Sequence, residues 1–259
     1  MWKYFKVVVK VIFPVLFAYF SWMIKYSRHP EKYDLKLRFS KVQKIIRRIL
    51  KAFNVSIRDI DLAEFNNVKE GDKNRFIICN HLSDADPLIL IAYAKRPITF
   101  VAKKETMKFP FVGRIIKILN GEFIDREDLK MQLKIFKNVE RKMKEIENLD
   151  WIIFPEGTRN KTDIDSVQEF HYGTFKPAMR NSLDIFVLSL LGSQRILDKK
   201  CNDKCYVIPI KLAKVITSED YKDKTTVDVS NEAYEACKEG VLSLVEEDLD
   251  LSLKFSKKN

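Results

Sequence analysis

Short apolar runs spaced along residues 75–213 constrain the fold more than any other feature. They are "RFIICN" (Arg75–Asn80), "ITFVAK" (Ile98–Lys103), "GEFIDR" (Gly121–Arg126), "WIIFPE" (Trp151–Glu156) and "YVIPIKLA" (Tyr206–Ala213). Each is too short for a stable helix and rich in β-branched or aromatic residues, so each predicts a strand. Helical patterns fall between them at Pro87–Ala94 and Glu127–Asn148, the second with acids in its first turn, as the helix dipole prefers. This alternation predicts an α/β fold, a sheet flanked by helices. A chain of 259 residues is long enough for one full core and an appendage. With 46% apolar and 32% charged residues, the composition excludes a disordered chain.

The charge is uneven. Formal net charge is +11, and residues 1–60 account for all of it, with 14 Lys/Arg against 3 Asp/Glu; residues 61–259 carry 33 of each. The basic segment contains the most apolar run of the chain, "VIFPVLFAYFSWMI" (Val11–Ile24), with Trp and Tyr near both ends. Such aromatics favour a membrane interface. No small-residue cleavage site follows, so a removable signal is not predicted. Next, "LKLRFSKVQKIIRRILKAF" (Leu35–Phe53) repeats apolar residues at Val42, Ile45, Ile46, Ile49, Leu50 and Phe53, a helical face with cations on the other side. Alone it fits an ordinary surface helix equally well. Beside Val11–Ile24 it predicts attachment to an anionic phospholipid membrane, by a single span or by a helical hairpin in one leaflet. Residues 1–54 therefore read as an N-terminal membrane-anchoring helical segment, and residues 55–259 as the α/β domain. The cations beside the apolar run place that domain on the cytoplasmic face of the cell membrane.

The cysteines (Cys79, Cys201, Cys205, Cys237) give no disulfide framework. "CNDKC" lacks a second pair or a nearby histidine, so no metal is predicted. The neutral body and the absence of a recognition motif argue against nucleic acid.

Chemistry concentrates in two motifs. In "CNHLSDADP" (Cys79–Pro87) a strand runs into His81, and Pro87 suits the first turn of a helix. Either Asp86 or Ser83 is the expected N-cap. On a regular helix His81 and Asp86 would diverge by roughly 140°; a turn removes that objection. Asp86 can then hold one imidazole nitrogen and leave the other free to accept a proton. The second motif, "FPEGTR" (Phe154–Arg159), places an acid, a glycine, a hydroxyl and a guanidinium at a strand's C-terminal end. Open α/β sheets bind ligands there, and Arg159 can grip phosphate bidentately. His29, in the linker, and His171, beside Tyr172, read as solvated or structural.

In order, "NHLSDAD", "FVAKKE…GEFIDR", "FPEGTR" and "VIPI" resemble the four blocks of the glycerolipid acyltransferases, above all the bacterial 1-acylglycerol-3-phosphate acyltransferase type. The resemblance covers roughly residues 75–215 and implies an acyltransferase-type sheet. It implies His81 as general base and Asp86 as its orienting carboxylate. Arg126, Arg159, and Lys103 or Lys104 would hold the acceptor phosphate. Glu156, Gly157 and Thr158 would shape the acceptor site, and Pro209 would lie on the acyl-donor side. The implied reaction moves a fatty acyl group from an acyl-CoA or acyl-carrier-protein thioester to a lysophospholipid acceptor, giving phosphatidic acid, with no cofactor. Glycerol 3-phosphate or another lysolipid is the alternative acceptor, and a non-catalytic lipid-binding protein the alternative class. Without a G-x-S-x-G elbow, no acyl-enzyme is expected; backbone N–H groups at the start of the Pro87 helix are the candidate oxyanion donors. Two departures from the family pattern stand out. Asn120 precedes Gly121 where the block more often opens on glycine. Residues 181–205 resemble an insertion whose "LDIFVLSLL" reads as a helix near the membrane or an acyl tunnel.

Overall fold

The computed structural model describes residues 2–256 apart from 70, 126, 162, 164 and 202. Its first helix, α1 (Trp2–Ala18), continues through a π-helical turn at Tyr19–Met23 into α2 (Ile24–Arg28). A short turn leads to α3 (Leu35–Ala52), which folds back on α1. The body then follows as β1 (Val55–Ile60), α4 (Ala63–Asn66), β2 (Phe76–Cys79), α5 (Asp86–Tyr93), β3 (Ile98–Lys103) and α6 (Pro110–Ile118). It continues through β4 (Glu122–Ile124), α7 (Leu129–Glu145), β5 (Asp150–Ile153), α8 (Lys176–Arg180), β6 (Ile185–Leu190), α9 (Gln194–Leu197), β7 (Tyr206–Ile216) and α10 (Thr226–Ser256).

The strands form one seven-stranded sheet in the order β1-β7-β6-β2-β5-β3-β4. All neighbours are parallel except β6 and β7. The α/β expectation holds, and the five predicted strands are present with bounds shifted by a few residues. The central strands β2, β5 and β6 are buried on both faces, which explains their nearly continuous apolar sequences. Trp151, Phe76, Tyr206 and Phe175 fill the core.

One expectation is overturned. "LDIFVLSLL" is not a helix beside the membrane or an acyl tunnel: Ile185–Leu190 is strand β6, fully buried between β2 and β7. An unbroken apolar run carries no period, so the pattern alone does not separate a buried strand from a buried helix. The edge strand β1 and the helices α6 and α10 lie outside the predicted elements.

The amphipathic helix α3 uses its apolar face inside the protein. Phe39, Val42, Ile46 and Leu50 join the same core cluster as the sheet residues, so this face is not the one that meets lipid. Its polar side chains are also partly engaged. Gln43 Nε2 donates to the carbonyls of Ile91 and Ala94, both at 2.8 Å, and Arg47 Nε donates to that of Ala92 at 2.8 Å. These are end carbonyls of α5, which lack partners within their own helix. Buried Arg38 does the same for α6, donating to the Ile118 carbonyl and, at 3.2 Å, to Asn120 Oδ1. Much of what reads as a solvated basic face thus fixes two helices of the body.

Helix α1 is different. Phe13 and Phe17 on α1 are 78% and 74% exposed, and Phe20 in the following π-helical turn is 70% exposed. Val7–Arg28 is long and apolar enough to cross a membrane.

At the N-terminal ends of β2 and β5, Arg75, Arg96 and Asp150 form a buried ion cluster. Arg75 donates to Asp150 through Nε (2.9 Å) and Nη2 (2.7 Å), and Arg96 lies 3.4 Å from its other oxygen. Burial pushes the Asp150 carboxyl above its ordinary range, and the two arginines oppose that.

Candidate active site

The parallel strands β6, β2, β5, β3 and β4 end on one side of the sheet, and the segments leaving those ends build the site. This is the crevice position for an open α/β sheet. After β2 the chain turns rather than coiling, which brings His81 back onto Asp86. The imidazole Nδ1 lies 2.8 Å from Asp86 Oδ2. Asp86 is fully buried, whereas the His81 side chain keeps 15% exposure. No described residue bonds its Nε2.

Asp86 is not the N-cap and neither is Ser83; Ala85 holds that position. The Asp86 carboxylate instead ties down the preceding turn. Its Oδ2 accepts from the backbone N–H of Leu82 (2.8 Å) and of Ser83 (2.9 Å) as well as facing His81. The Ala85 N–H is bonded to Ser83 Oγ and the Asp86 N–H to the Ser83 carbonyl. These four amides are therefore already used, and the expectation that amides of this helix start receive an oxyanion does not hold for them. The other Asp86 oxygen, Oδ1, accepts from the hydroxyl of Ser193, itself fully buried.

The two motifs lock together. Glu156 is 3% exposed, and its carboxylate accepts from the His81 N–H at 2.6 Å and from the Gln168 N–H at 3.1 Å. The Asn160 N–H donates to the His81 carbonyl at 2.8 Å. Burial pushes the Glu156 carboxyl up to about 7; the two backbone N–H bonds oppose this, and nearby Asp86 adds to it. Phe154 stacks on the His81 ring with centroids 4.2 Å apart and planes at 22°. Hydrogen bond below, ring beside and anchored backbone fix the imidazole in one orientation.

Gly157 has φ +68°, and a Cβ there would lie about 3 Å from the His171 ring. His171 thus packs over the turn, as a structural residue would. Thr158 is exposed. Arg159 pairs with Asp84, and Lys104 with Asp125. The hydrogen bond in the second pair holds the lysine above and the aspartate below their ordinary ranges. Lys103 turns to Glu105 at 3.6 Å. Arg126 lies outside the described residues. Pro209 sits in β7 and accepts from the Leu191 N–H at 3.3 Å, which puts it beside the segment that carries Ser193.

Asn120 has φ +61°, a left-handed position that asparagine tolerates better than most side chains. Gly121 is needed for space: a Cβ there would meet the Phe100 carbonyl at 2.8 Å. The unusual Asn-Gly order is consistent with a normal turn into β4. Cys79, Cys205 and Cys237 are free thiols. Among the described residues, no three His, Cys, Asp or Glu side chains group around a possible metal position.

Ser193 and Phe154 had no role in the sequence reading. A signal for Ser193 existed: read as a strand, "LDIFVLSLL" delivers Gly192–Ser193 to the same crevice end as the other motifs.

A mixed α/β sheet with a carboxylate-held histidine at its crevice end, and an arginine paired in the same turn, fits an acyltransferase-type protein. The chain belongs to the acyltransferase family, whose profile matches residues 59–213. It is 29% identical over 180 residues to a probable 1-acyl-sn-glycerol-3-phosphate acyltransferase of Mycoplasma pneumoniae, covering 68% of this chain and 64% of the relative. It is 31% identical over 134 residues to a 1-acyl-sn-glycerol-3-phosphate acyltransferase of Cocos nucifera (52% and 41%), and 32% identical over 145 residues to one of Helicobacter pylori (56% and 59%). The matches thus span less than two thirds of these relatives' lengths. The crystal structure of the 1-acyl-sn-glycerophosphate acyltransferase PlsC from Thermotoga maritima shares the fold, with TM-score 0.69 at 22% identity over 93% of this chain and 92% of that one.

Proposed function

We propose that this protein transfers a fatty acyl group from a thioester to the free hydroxyl of 1-acylglycerol 3-phosphate, giving phosphatidic acid at a membrane surface. The observation that carries the reading is the His81–Asp86 pair, buried at its carboxylate and open at Nε2, in a chain whose relatives bear that activity in their names. A glycerol hydroxyl is a weak nucleophile at neutral pH. His81 Nε2 takes its proton as the oxygen attacks the thioester carbonyl, while Asp86 holds Nδ1–H and stabilises the imidazolium. The C–S bond then breaks, and the imidazolium returns the proton to the leaving thiolate. The acyl group passes directly to the acceptor, with no acyl-enzyme and no resident cofactor.

Arg159, Arg126 and Lys104 bind the acceptor phosphate, with Lys103 at the rim. Arg159 and Lys104 exchange Asp84 and Asp125 for phosphate oxygens, a stronger, doubly charged partner. Glu156, Gly157 and Thr158 hold the turn against which the glycerol lies. The donor, an acyl-CoA or acyl-carrier-protein thioester, enters on the side of Pro209. Helix α1 anchors the protein through its exposed phenylalanines, with the α/β body on the cytoplasmic face.

The test is an assay of purified protein with one acyl donor and a panel of acceptors. Phosphatidic acid should form from 1-acylglycerol 3-phosphate. His81→Ala should lose roughly 10²–10⁴-fold in turnover and bind vesicles as before. Near-normal turnover in that variant would refute the mechanism; a clear preference for glycerol 3-phosphate or another lysolipid would change the acceptor.

A further inference from the structure

A second concavity opens where the apolar N-terminal helix ends. The cleft, of about 610 Å³, lies between Ser27, Arg28 and His29 on one side and Arg114 and Lys117 of α6 on the other, with Met107 also lining it. None of these residues belongs to the His81 crevice. Arg28, Arg114 and Lys117 bring three positive charges into one cleft, and among the described residues none of them has a carboxylate partner. Some lysines of the body do have such partners: Lys104 pairs with Asp125, Lys142 with Glu122 and Lys214 with Glu232. Arg114 is held in place, donating to Ser27 Oγ at 2.8 Å and packing over the Tyr19 ring at 5.0 Å. Its Nε is buried without an acceptor. Three like charges gathered around a fixed Arg114 repel one another, and an anion in the cleft removes that cost.

We propose that this cleft binds the phosphate of an anionic phospholipid headgroup. The proposal rests on the membrane attachment argued above and adds a defined headgroup site to it. The surroundings select a lipid over a soluble phosphate. Phe17 and Phe20 on the helix, and Met107 and Phe109 ahead of α6, are at least 50% exposed. An amphiphile can place its phosphate among the cations and its chains along these apolar side chains. A nucleotide or free phosphate would leave the apolar surface unused.

Diffuse surface charge also attracts anionic lipid, so the test must separate the two. Screening does this: the Debye length falls to roughly 4 Å near 0.5 M salt, which suppresses long-range attraction but spares direct phosphate contacts. Full-length protein is sedimented in 0.5 M NaCl with phosphatidylcholine vesicles, with and without phosphatidylglycerol. The wild type should keep a preference for the anionic vesicles. Arg28→Gln with Lys117→Gln should reduce that preference about tenfold, and the control pair Lys44→Gln with Lys51→Gln, which removes equal charge from α3, should not. Acyl transfer to detergent-dispersed acceptor should be unchanged in both pairs. Equal losses in the two pairs, or no wild-type preference, would overturn the headgroup site while leaving membrane attachment intact. Failure of the wild type to bind any vesicle would overturn both. Calorimetry with inorganic phosphate and coenzyme A provides the other arm: micromolar binding of either, lost in the Arg28/Lys117 pair, would reassign the cleft to a soluble phosphate.

Discussion

Ser193→Ala is the sharpest test of how the site works. Asp86 is fully buried and takes its hydrogen bonds unevenly: Oδ2 faces His81 and two backbone amides, whereas Ser193 is the one described donor to Oδ1. Removing the hydroxyl leaves a buried carboxylate oxygen without a partner. The space vacated is smaller than a water molecule's share of the liquid, roughly 30 Å³, so solvent does not replace it. A hydrogen bond to a charged acceptor contributes about 1.5–3 kcal/mol. Each 1.36 kcal/mol is a factor of ten in rate, so full expression in the transition state predicts a kcat lower by roughly 10–100-fold. KM for the acceptor should change little, because Ser193 touches neither the side chains proposed to hold the phosphate nor the open imidazole nitrogen. Ser193→Thr, which keeps the hydroxyl, should recover much of the loss. The assay is steady-state acyl transfer with a thermal melt of each variant alongside. A variant that melts lower but turns over within twofold of wild type would show that Ser193 only packs, and the reasoning would fail.

Glu156 should leave a mark on stability against pH. Its carboxyl is raised to about 7, so between its ordinary pKa near 4.5 and 7 the folded protein holds a proton that the unfolded chain has released. That stabilisation is complete below pH 4.5 and is lost as pH rises through 7, a change of roughly 3 kcal/mol. In urea unfolding, wild type minus Glu156→Gln should therefore fall by about that amount across the window; a pH-independent difference would contradict the assignment. At the other end of the sheet, Asp150→Ala leaves Arg75 and Arg96 buried together without their carboxylate. It should cost about 3–5 kcal/mol in urea unfolding, while kcat of the remaining folded protein stays normal; unaltered stability would show that the two arginines do not depend on Asp150.

The site was largely legible because its chemistry is local in sequence. His81 and Asp86 share one turn, and Glu156, Gly157 and Arg159 share another, so motif spacing located both. What escaped was carried by long-range contact. Ser193 lies 107 positions from Asp86, and nothing in either segment names the other. The family resemblance implied a phosphate-holding lysine at Lys103 or Lys104 without choosing between them; the pairing of Lys104 with Asp125, and that of Arg159 with Asp84, needed strands and loops brought side by side.

The sequence by itself determined the alternation of strand and helix, the apolar N-terminal helix and the His81–Asp86 pair, because propensity, periodicity and turn chemistry act over a few residues. Tertiary structure decided where each apolar face goes. It put "IFVLSL" into the middle of the sheet, since an aperiodic apolar run satisfies any buried position. It turned α3 inward, where Phe39, Val42, Ile46 and Leu50 gain more by joining the core, and where Arg38, Gln43 and Arg47 satisfy the end carbonyls of α5 and α6. That left the phenylalanines of α1 as the apolar surface of the N-terminal segment. Burial is a property of the partner as much as of the residue, and partners are chosen only when the chain closes.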